Sequence, residues 1–90
     1  MEILQFISKG NAQIMVGKPE EAMTFYGTAL SLDKNCFDAW LGMGHALNIM
    51  GRYDEALSCC ERALTLNRHS ITAECMVECL RDKVITYCEH

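Results

Sequence analysis

The residues of this chain whose types and spacing could do chemistry are mainly cysteines. Cys75 and Cys79 lie four positions apart in helix-patterned sequence and so share one helix face, an arrangement that can supply two metal ligands. A structural zinc site needs four ligands, and the adjacent Cys59 and Cys60 would point about 100° apart on a helix. The simpler interpretation is that these thiols act as small hydrophobic side chains. The sequence therefore predicts no metal site and no cofactor.

The histidines do not form a catalytic arrangement. His69 and Ser70 are neighbours in a predicted loop, but no acidic residue stands at a spacing that would complete a nucleophile and its base. Neither a glycine-rich phosphate loop nor a Gly-x-Ser-x-Gly turn occurs in the sequence. His45 could titrate near neutral pH, and we interpret it as a polar contact residue rather than a switch. These patterns predict a protein that is not an enzyme.

Length and charge restrict the classes of function further. Ninety residues, half of them hydrophobic, form one small domain in which a walled-off cleft is difficult to build. Eight Lys and Arg residues against twelve Asp and Glu residues give a net charge of −4, without the basic face that nucleic acid or anionic lipid requires. Glu2 stands where an export signal would carry a basic residue, and no apolar run approaches the roughly 18 residues of a membrane span. We therefore expect a cytoplasmic protein with mostly free thiols, no nucleic acid partner and no membrane insertion.

An internal repeat positions the candidate residues. Residues 3–36 align with residues 37–70 at a shift of 34 without a gap, and eight aligned pairs are identical. These pairs are Gly10 and Gly44, Ala12 and Ala46, Gly17 and Gly51, Glu21 and Glu55, Ala22 and Ala56, Ala29 and Ala63, Leu30 and Leu64, and Leu32 and Leu66. The sequence predicts two helices in each unit: about 2–16 and 19–32 in the first, and 37–50 and 53–66 in the second. A glycine ends the first helix of each pair.

The residues after the second unit predict one more helix, over 71–88. Its apolar stripe has helical spacing and consists of Met76, Val77, Leu80, Val84 and Tyr87. We expect this helix to cap the exposed flank of the second unit.

The second unit resembles the tetratricopeptide repeat (TPR) family. The matching residues are Trp40, Met43-Gly44, Leu47, Gly51 to Leu57, Ala63-Leu64 and Leu66-Asn67, and the first unit keeps Phe6, Gly10, Gly17, Glu21-Ala22, Phe25-Tyr26, Ala29-Leu30 and Leu32-Asp33. The chain departs from the family pattern at Lys9, at Lys34 and Arg68 in place of proline, and at Cys60 in place of a large aromatic residue. The resemblance implies an all-α, right-handed solenoid in one domain, 1–90, with repeats over 3–36 and 37–70 and a capping helix over 71–88.

The resemblance implies a protein–protein interaction module that binds a peptide or helix of a partner in a concave groove formed by the first helix of each repeat. By helical spacing the groove residues are Leu4, Ile7, Asn11, Ile14, Met15, Asp38, Leu41, His45, Asn48, Thr72, Cys75 and Cys79. Asn11 and Asn48 are expected to hydrogen-bond the partner's backbone. The alternative is a homo-oligomeric assembly unit that uses the same groove or the exposed end-helix flanks, and two repeats plus one helix are also compatible with a fragment of a longer array.

Some TPR proteins of the co-chaperone type hold the carboxylates of a peptide C-terminus with lysine, arginine and asparagine side chains. Asn11 matches one such position, but Ile7, His45, Cys75 and Cys79 occupy positions that would need basic or amide groups. The sequence therefore predicts that acidic chaperone tails are not the ligand.

Overall fold

Five α-helices make up the part of the chain that the structure describes. The structure is a computed structural model, and it describes the backbone of residues 2–88 and the side chains of residues 2–85. The helices are α1 (Glu2–Met15), α2 (Pro19–Leu32), α3 (Phe37–Ile49), α4 (Tyr53–Leu66) and α5 (Ile71–Cys88). The predicted all-α architecture is confirmed, and the helix ends differ from the predicted ends by at most one residue.

Tight turns join the two helices of each repeat at a glycine. Gly17 and Gly51 both have φ of 81°, a left-handed conformation that costs other L residues a steric penalty. The backbone N–H of Lys18 donates to the carbonyl of Gln13 at 2.8 Å, and that of Gly17 donates to Ile14 at 3.1 Å. This pair of bonds closes the last turn of α1 and reverses the chain.

The loops after α2 and α4 turn without the proline usual in the family. The side chain of Asp33 accepts a hydrogen bond from the backbone N–H of Asn35 at 3.0 Å. Asn67 accepts the equivalent bond in the second repeat at 3.2 Å. Because such side-chain turns redirect the backbone directly, the loops accommodate Lys34 and Arg68. The two helices end at the predicted residues, Leu32 and Leu66.

Small residues set the spacing between helices. A Cβ atom added at Gly44 of α3 would meet the Cys60 sulfur and lie 3.2 Å from the Ala56 carbonyl oxygen of α4. Seven alanines have no exposed surface, namely Ala22, Ala29, Ala39, Ala46, Ala56, Ala63 and Ala73. α1 packs against α2 and α3 against α4, while α2 contacts α3 and α4 contacts α5, so the chain forms two stacked hairpins followed by one helix.

Large side chains fill the remaining volume unevenly. Tyr26 is 1% exposed, whereas Phe6 and Trp40, two other aromatic residues of the family pattern, are half-buried. The indole N–H of Trp40 donates to the Lys34 carbonyl at 2.7 Å, and the guanidinium of Arg62 lies 5.6 Å from the ring centre. Trp40 therefore anchors the loop between the repeats.

The departure from the family at Lys9 has a positional explanation. Met43 and Val77 occupy the equivalent positions in α3 and α5, where they pack against the preceding hairpin. No helix of the described chain covers that face of α1, so the Lys9 ammonium remains exposed. It lies 5.9 Å from the Phe6 ring centre and 6.0 Å from that of Phe25, where its charge meets the aromatic faces.

α5 buries one face and exposes the other. Ala73, Val77 and Leu80 are buried, and Met76 and Val84 are half-buried; the predicted contribution of Tyr87 lies outside the described side chains. The opposite face carries exposed charged residues, among them Glu74 and Glu78. None of the helices in the described chain combines the length and the apolar character that crossing a bilayer needs.

Candidate functional site

A concave groove lies across α1, α3 and α5. It has a volume of about 520 Å³ and is lined by Ile7, Asn11, Ile14, Met15, Tyr26, Asp38, Leu41, Gly42, His45, Thr72 and Met76. Residues 34 apart occupy equivalent positions on these helices, so Ile7 and Leu41 form one pair and Asn11 and His45 another. The repeat register therefore aligns apolar side chains along the groove and places polar side chains beside them.

Eight of the twelve residues predicted for the groove line it in the structure. They are Ile7, Asn11, Ile14, Met15, Asp38, Leu41, His45 and Thr72. The structure adds Tyr26, Gly42 and Met76 to this set. The other four predicted residues, Leu4, Asn48, Cys75 and Cys79, lie outside the groove lining.

Two of the lining residues belong to the hydrophobic core. Ile7 is 8% exposed and packs with Tyr26, Ala29 and Ala39. Met15, in contrast, is 87% exposed, and Leu41 is half-buried. Ile7 and Tyr26 therefore form the rigid floor of the groove, while Met15 and Leu41 present surface that a ligand could cover.

The floor carries one polar contact. The hydroxyl of Tyr26 donates a hydrogen bond to the side-chain oxygen of Asn11. Burial raises the pKa of the Tyr26 hydroxyl above its usual value, so the hydroxyl stays protonated and remains a donor. The amide N–H₂ group of Asn11 makes no hydrogen bond with any described residue, which leaves two donors on the exposed side of this contact.

Among the described residues, the groove lining has one carboxylate and no Lys or Arg. Asp38 is exposed and makes no ion pair or hydrogen bond with any described residue. All eight Lys and Arg residues lie in the described part of the chain, and each lies elsewhere. Arg52 pairs with Glu55 at 2.7 Å and Arg81 with Glu61 at 3.3 Å, both away from the groove.

Asn48 is engaged by α5. Its side-chain oxygen accepts a hydrogen bond from the Lys83 ammonium at 3.2 Å, and the same ammonium lies 5.0 Å from the centre of the Tyr53 ring. This contact holds the Asn48 amide at the junction of α3 and α5. The Asn48 oxygen is therefore engaged, as the Asn11 oxygen is, while the Asn48 amide N–H₂ group makes no hydrogen bond with any described residue.

The exposed end of α1 carries Leu4. It is 62% exposed and lines a second, shallow apolar depression with Glu2, Ile3 and Leu32. Leu4 is the equivalent of Asp38 one repeat earlier, but α1 has no described helix on its outer side to continue the groove.

Cys75 and Cys79 are both exposed on α5, in the positions equivalent to Leu41 and His45. They continue the line of the groove residues toward the C-terminal edge. Within the described residues, no group of three or more His, Cys, Asp or Glu side chains is arranged to hold a metal ion.

The other described thiols are more enclosed. Cys60 is fully buried, and burial raises its pKa from 9.0 to about 11, with the neighbouring Cys59 and Glu61 adding to the rise. Cys59 is half-buried, and burial, together with the charge of Glu55, raises its pKa as well. The raised pKa of each thiol favours the protonated, less reactive form, which fits a packing role.

Sequence reasoning missed three groove residues, and one of them, Gly42, had a signal in the sequence. Tyr26 entered the sequence analysis only as part of the family pattern, although its hydroxyl reaches the groove. Gly42 and Met76 are repeat equivalents of each other, and a Cβ atom at Gly42 would meet the ring of Tyr26. The absence of a side chain at Gly42, beside the glycine that the repeat requires at position 44, was the signal that a bulky residue comes close there.

Two family models match the chain, each over one of the two repeats. One tetratricopeptide repeat model matches residues 37–70, and a second matches residues 6–36. The chain belongs to the tetratricopeptide repeat family. TPR domains are protein-interaction modules and are generally not enzymes, so the chain is an interaction scaffold in this broad sense.

Individual relatives agree with the family assignment. An uncharacterized protein of Methanocaldococcus jannaschii is 38% identical over 53 residues, which cover 59% of this chain and 62% of that protein. The Sgt2 TPR domain from Aspergillus fumigatus has a TM-score of 0.92 at 19% identity, covering 98% of this chain and 60% of that one. The second TPR domain of human RPAP3, in complex with the HSP70 peptide SGPTIEEVD, has a TM-score of 0.84 at 24% identity, covering 89% of this chain and 67% of that one. The chain thus spans less than two thirds of the archaeal relative and of the Sgt2 domain.

Proposed function

We propose that this TPR domain binds a short peptide or helix of a partner protein in its concave groove. The observation that carries the proposal is a groove of about 520 Å³ whose walls are mainly apolar and whose polar groups lie beside the apolar side chains. A few fixed polar groups around an apolar cleft are typical of sites that orient a ligand while burying its apolar side chains. TPR domains of known structure also bind peptides, as the RPAP3 domain does.

The groove chemistry argues against a ligand held by its carboxylates. Such a ligand needs basic side chains around it, whereas Ile7 and His45 occupy two of the matching positions and Cys75 and Cys79 two more. The binding energy would come instead from burying apolar surface at Leu41, Met15 and Met76, at roughly 25 cal/mol per Å². Asn11 would contribute by donating to a backbone carbonyl of the ligand.

The experiment is a selection of random 12-residue peptides on the full chain, followed by affinity measurements with the enriched peptides as synthetic probes. Leu41→Asp should weaken binding at least tenfold, because it places a charge in the apolar wall. Leu66→Asp, in α4 and away from the groove, is the matched control and should bind as the wild type does. Ile7 is unsuitable for this test, since it is part of the core.

Circular dichroism of both variants establishes that the fold is intact. Enriched peptides that bind Leu41→Asp as tightly as the wild type would contradict the proposal. A selection in which no peptide is enriched over a blank surface would contradict it as well.

Self-association is the second candidate function, and the exposed apolar residues at the N-terminal edge favour it. Leu4 is 62% and Leu32 is 50% exposed, and both border the same shallow depression. Exposed apolar patches of this kind are commonly covered by another chain. Light scattering after size-exclusion chromatography, with reductant and over a hundredfold range of concentration, tests it. A dimer that Leu4→Lys dissociates would support this candidate, and a monomer throughout would exclude it.

A further inference from the structure

Among the described residues, Asp38 is the one carboxylate that lines the groove, and no Lys or Arg lines it. Two acidic residues outside the groove form ion pairs, Glu55 with Arg52 and Glu61 with Arg81. Asp38 has no such partner among the described residues and is exposed. A ligand that fills the groove would therefore bring its own side chains next to a carboxylate that no described Lys or Arg pairs with.

No described Lys or Arg lines the groove beside Asp38, and the positive charge next to it is the partial charge of the α3 N-terminus. Its repeat equivalents are Leu4 in α1 and Thr72 in α5, and both are uncharged. Lys83 lies farther along α5, where its ammonium is held by Asn48 and the Tyr53 ring. The net charge of the chain, −4, has the same sign as Asp38 and reinforces its effect on an approaching ligand.

We propose that the groove selects a peptide in which a bulky aliphatic side chain stands close to a lysine or arginine, and that Asp38 is the residue that determines this preference. The aliphatic side chain packs between Leu41, Met15 and Met76, and the cation pairs with the Asp38 carboxylate. This inference rests on the proposed function of the groove. It concerns the charge of the ligand and assigns an individual residue to its recognition.

The ion pair between Asp38 and the basic residue of the ligand is exposed to solvent, because Asp38 is exposed. This exposure sets how much affinity is lost when the pair is removed. Exposed ion pairs contribute little, so replacing the basic residue of the ligand by glutamine should weaken binding by about threefold to fivefold. The effect should shrink as NaCl rises from low to high concentration, because salt screens exposed charges beyond about 8 Å at physiological ionic strength. Loss of the aliphatic residue should weaken binding far more.

The test extends the peptide selection to two variants. Asp38→Asn removes the charge from the groove, and Asp54→Asn is the matched control, since Asp54 lies in the first turn of α4 as Asp38 lies in the first turn of α3. Both changes alter the interaction with a helix N-terminus in the same way, but only Asp38 lines the groove. The synthetic probes are one enriched peptide and its copy with glutamine in place of the basic residue.

The expected result is enrichment of Lys or Arg beside an aliphatic residue on the wild type and on Asp54→Asn, and loss of that bias on Asp38→Asn. The two probes should then bind Asp38→Asn equally. Enrichment of acidic or neutral peptides whose binding still fails with Leu41→Asp would overturn the inference while leaving the proposed function standing. Absence of any peptide sensitive to Leu41→Asp would instead overturn the proposed function.

Discussion

The hydroxyl of Tyr26 in α2 donates a hydrogen bond to the side-chain oxygen of Asn11 in α1, across the floor of the groove. The ring of Tyr26 lies between Gly10 of α1 and Gly42 of α3, at positions where a Cβ atom on either glycine would collide with it. One aromatic side chain thus connects three helices and fixes the orientation of a groove amide.

Tyr26→Phe keeps the ring and removes this hydrogen bond. We expect a loss of about 1 kcal/mol in the free energy of unfolding, the usual net value of one intramolecular hydrogen bond. Asn11→Ala should cost a similar amount, and the double variant little more than either single one, because both changes remove the same bond. Urea unfolding followed by circular dichroism gives the three values. Strictly additive losses would show that the two groups do not interact.

The glycines around Tyr26 should be intolerant of even a methyl group. A Cβ atom at Gly10 would lie 2.6 Å from the Tyr26 ring, and one at Gly42 would also collide with it. Gly10→Ala and Gly42→Ala should each destabilise the fold by about 1–3 kcal/mol, because the ring must shift in a closely packed core.

Gly27→Ala is the control for this prediction. Gly27 lies in α2, and the atom nearest to an added Cβ is the Met43 methyl carbon at 3.9 Å. Alanine there should be neutral or should stabilise by up to about 1 kcal/mol, since it favours the helix. Equal effects at Gly27 and Gly42 in thermal unfolding would contradict the packing explanation.

The repeat register predicted the fold and most of the groove. The shift of 34 fixes which residues are equivalent, and helical spacing fixes which of them share a face, so Asn11, Leu41 and His45 could be placed from the sequence. It could not place Asn48, whose partner Lys83 is 35 positions away on a helix outside the repeat. Contacts of that kind depend on how the last helix docks, and no periodic pattern encodes them.

The departure from the family pattern at Cys60 is a second feature that the repeat pattern alone does not explain. Cys60 occupies the position of Tyr26 in the second repeat, and Met76 occupies the position of Gly42. Cys60 is fully buried, with Met76 packed against the same cluster. A small residue at one position is therefore matched by a large residue at the other. The sequence showed the loss of the aromatic ring, but the compensation depends on a contact between α4 and α5.

This compensation predicts a coupled pair of substitutions. Cys60→Tyr should destabilise the fold by about 1–3 kcal/mol, because the ring enters the space that Met76 fills and the space beside Gly44. Met76→Ala alone should also destabilise, by about 2 kcal/mol or more where the side chain is packed. The double variant should be more stable than the sum of the two losses predicts. Unfolding free energies for the four proteins of the cycle measure the coupling, and its absence would show that the two sites are independent.

The thiols should differ in reactivity according to their burial. Under native conditions at pH 8, iodoacetamide should modify the exposed Cys75 and Cys79 first, and the half-buried Cys36 and Cys59 more slowly. Cys60 should react only after unfolding, because burial raises its pKa to about 11 and shields the sulfur from the reagent. Mass spectrometry of digested protein at successive times gives the order. Early modification of Cys60 would show that α4 and α5 separate readily.

The pKa of Cys60 also links stability to pH. In the unfolded chain this thiol ionises near its ordinary value of 9.0, whereas in the folded chain it stays protonated until about pH 11. Between these values the unfolded state has released a proton that the folded state retains, so the free energy of unfolding falls as pH rises from about 9 toward 11. Well below pH 9.0 the thiol is protonated in both states, so Cys60 causes no loss of stability there. Cys60→Ala removes this thiol, and its stability, although lower at pH 7, should depend less steeply on pH across that interval. An unchanged slope in urea unfolding would assign the alkaline loss of stability to other groups.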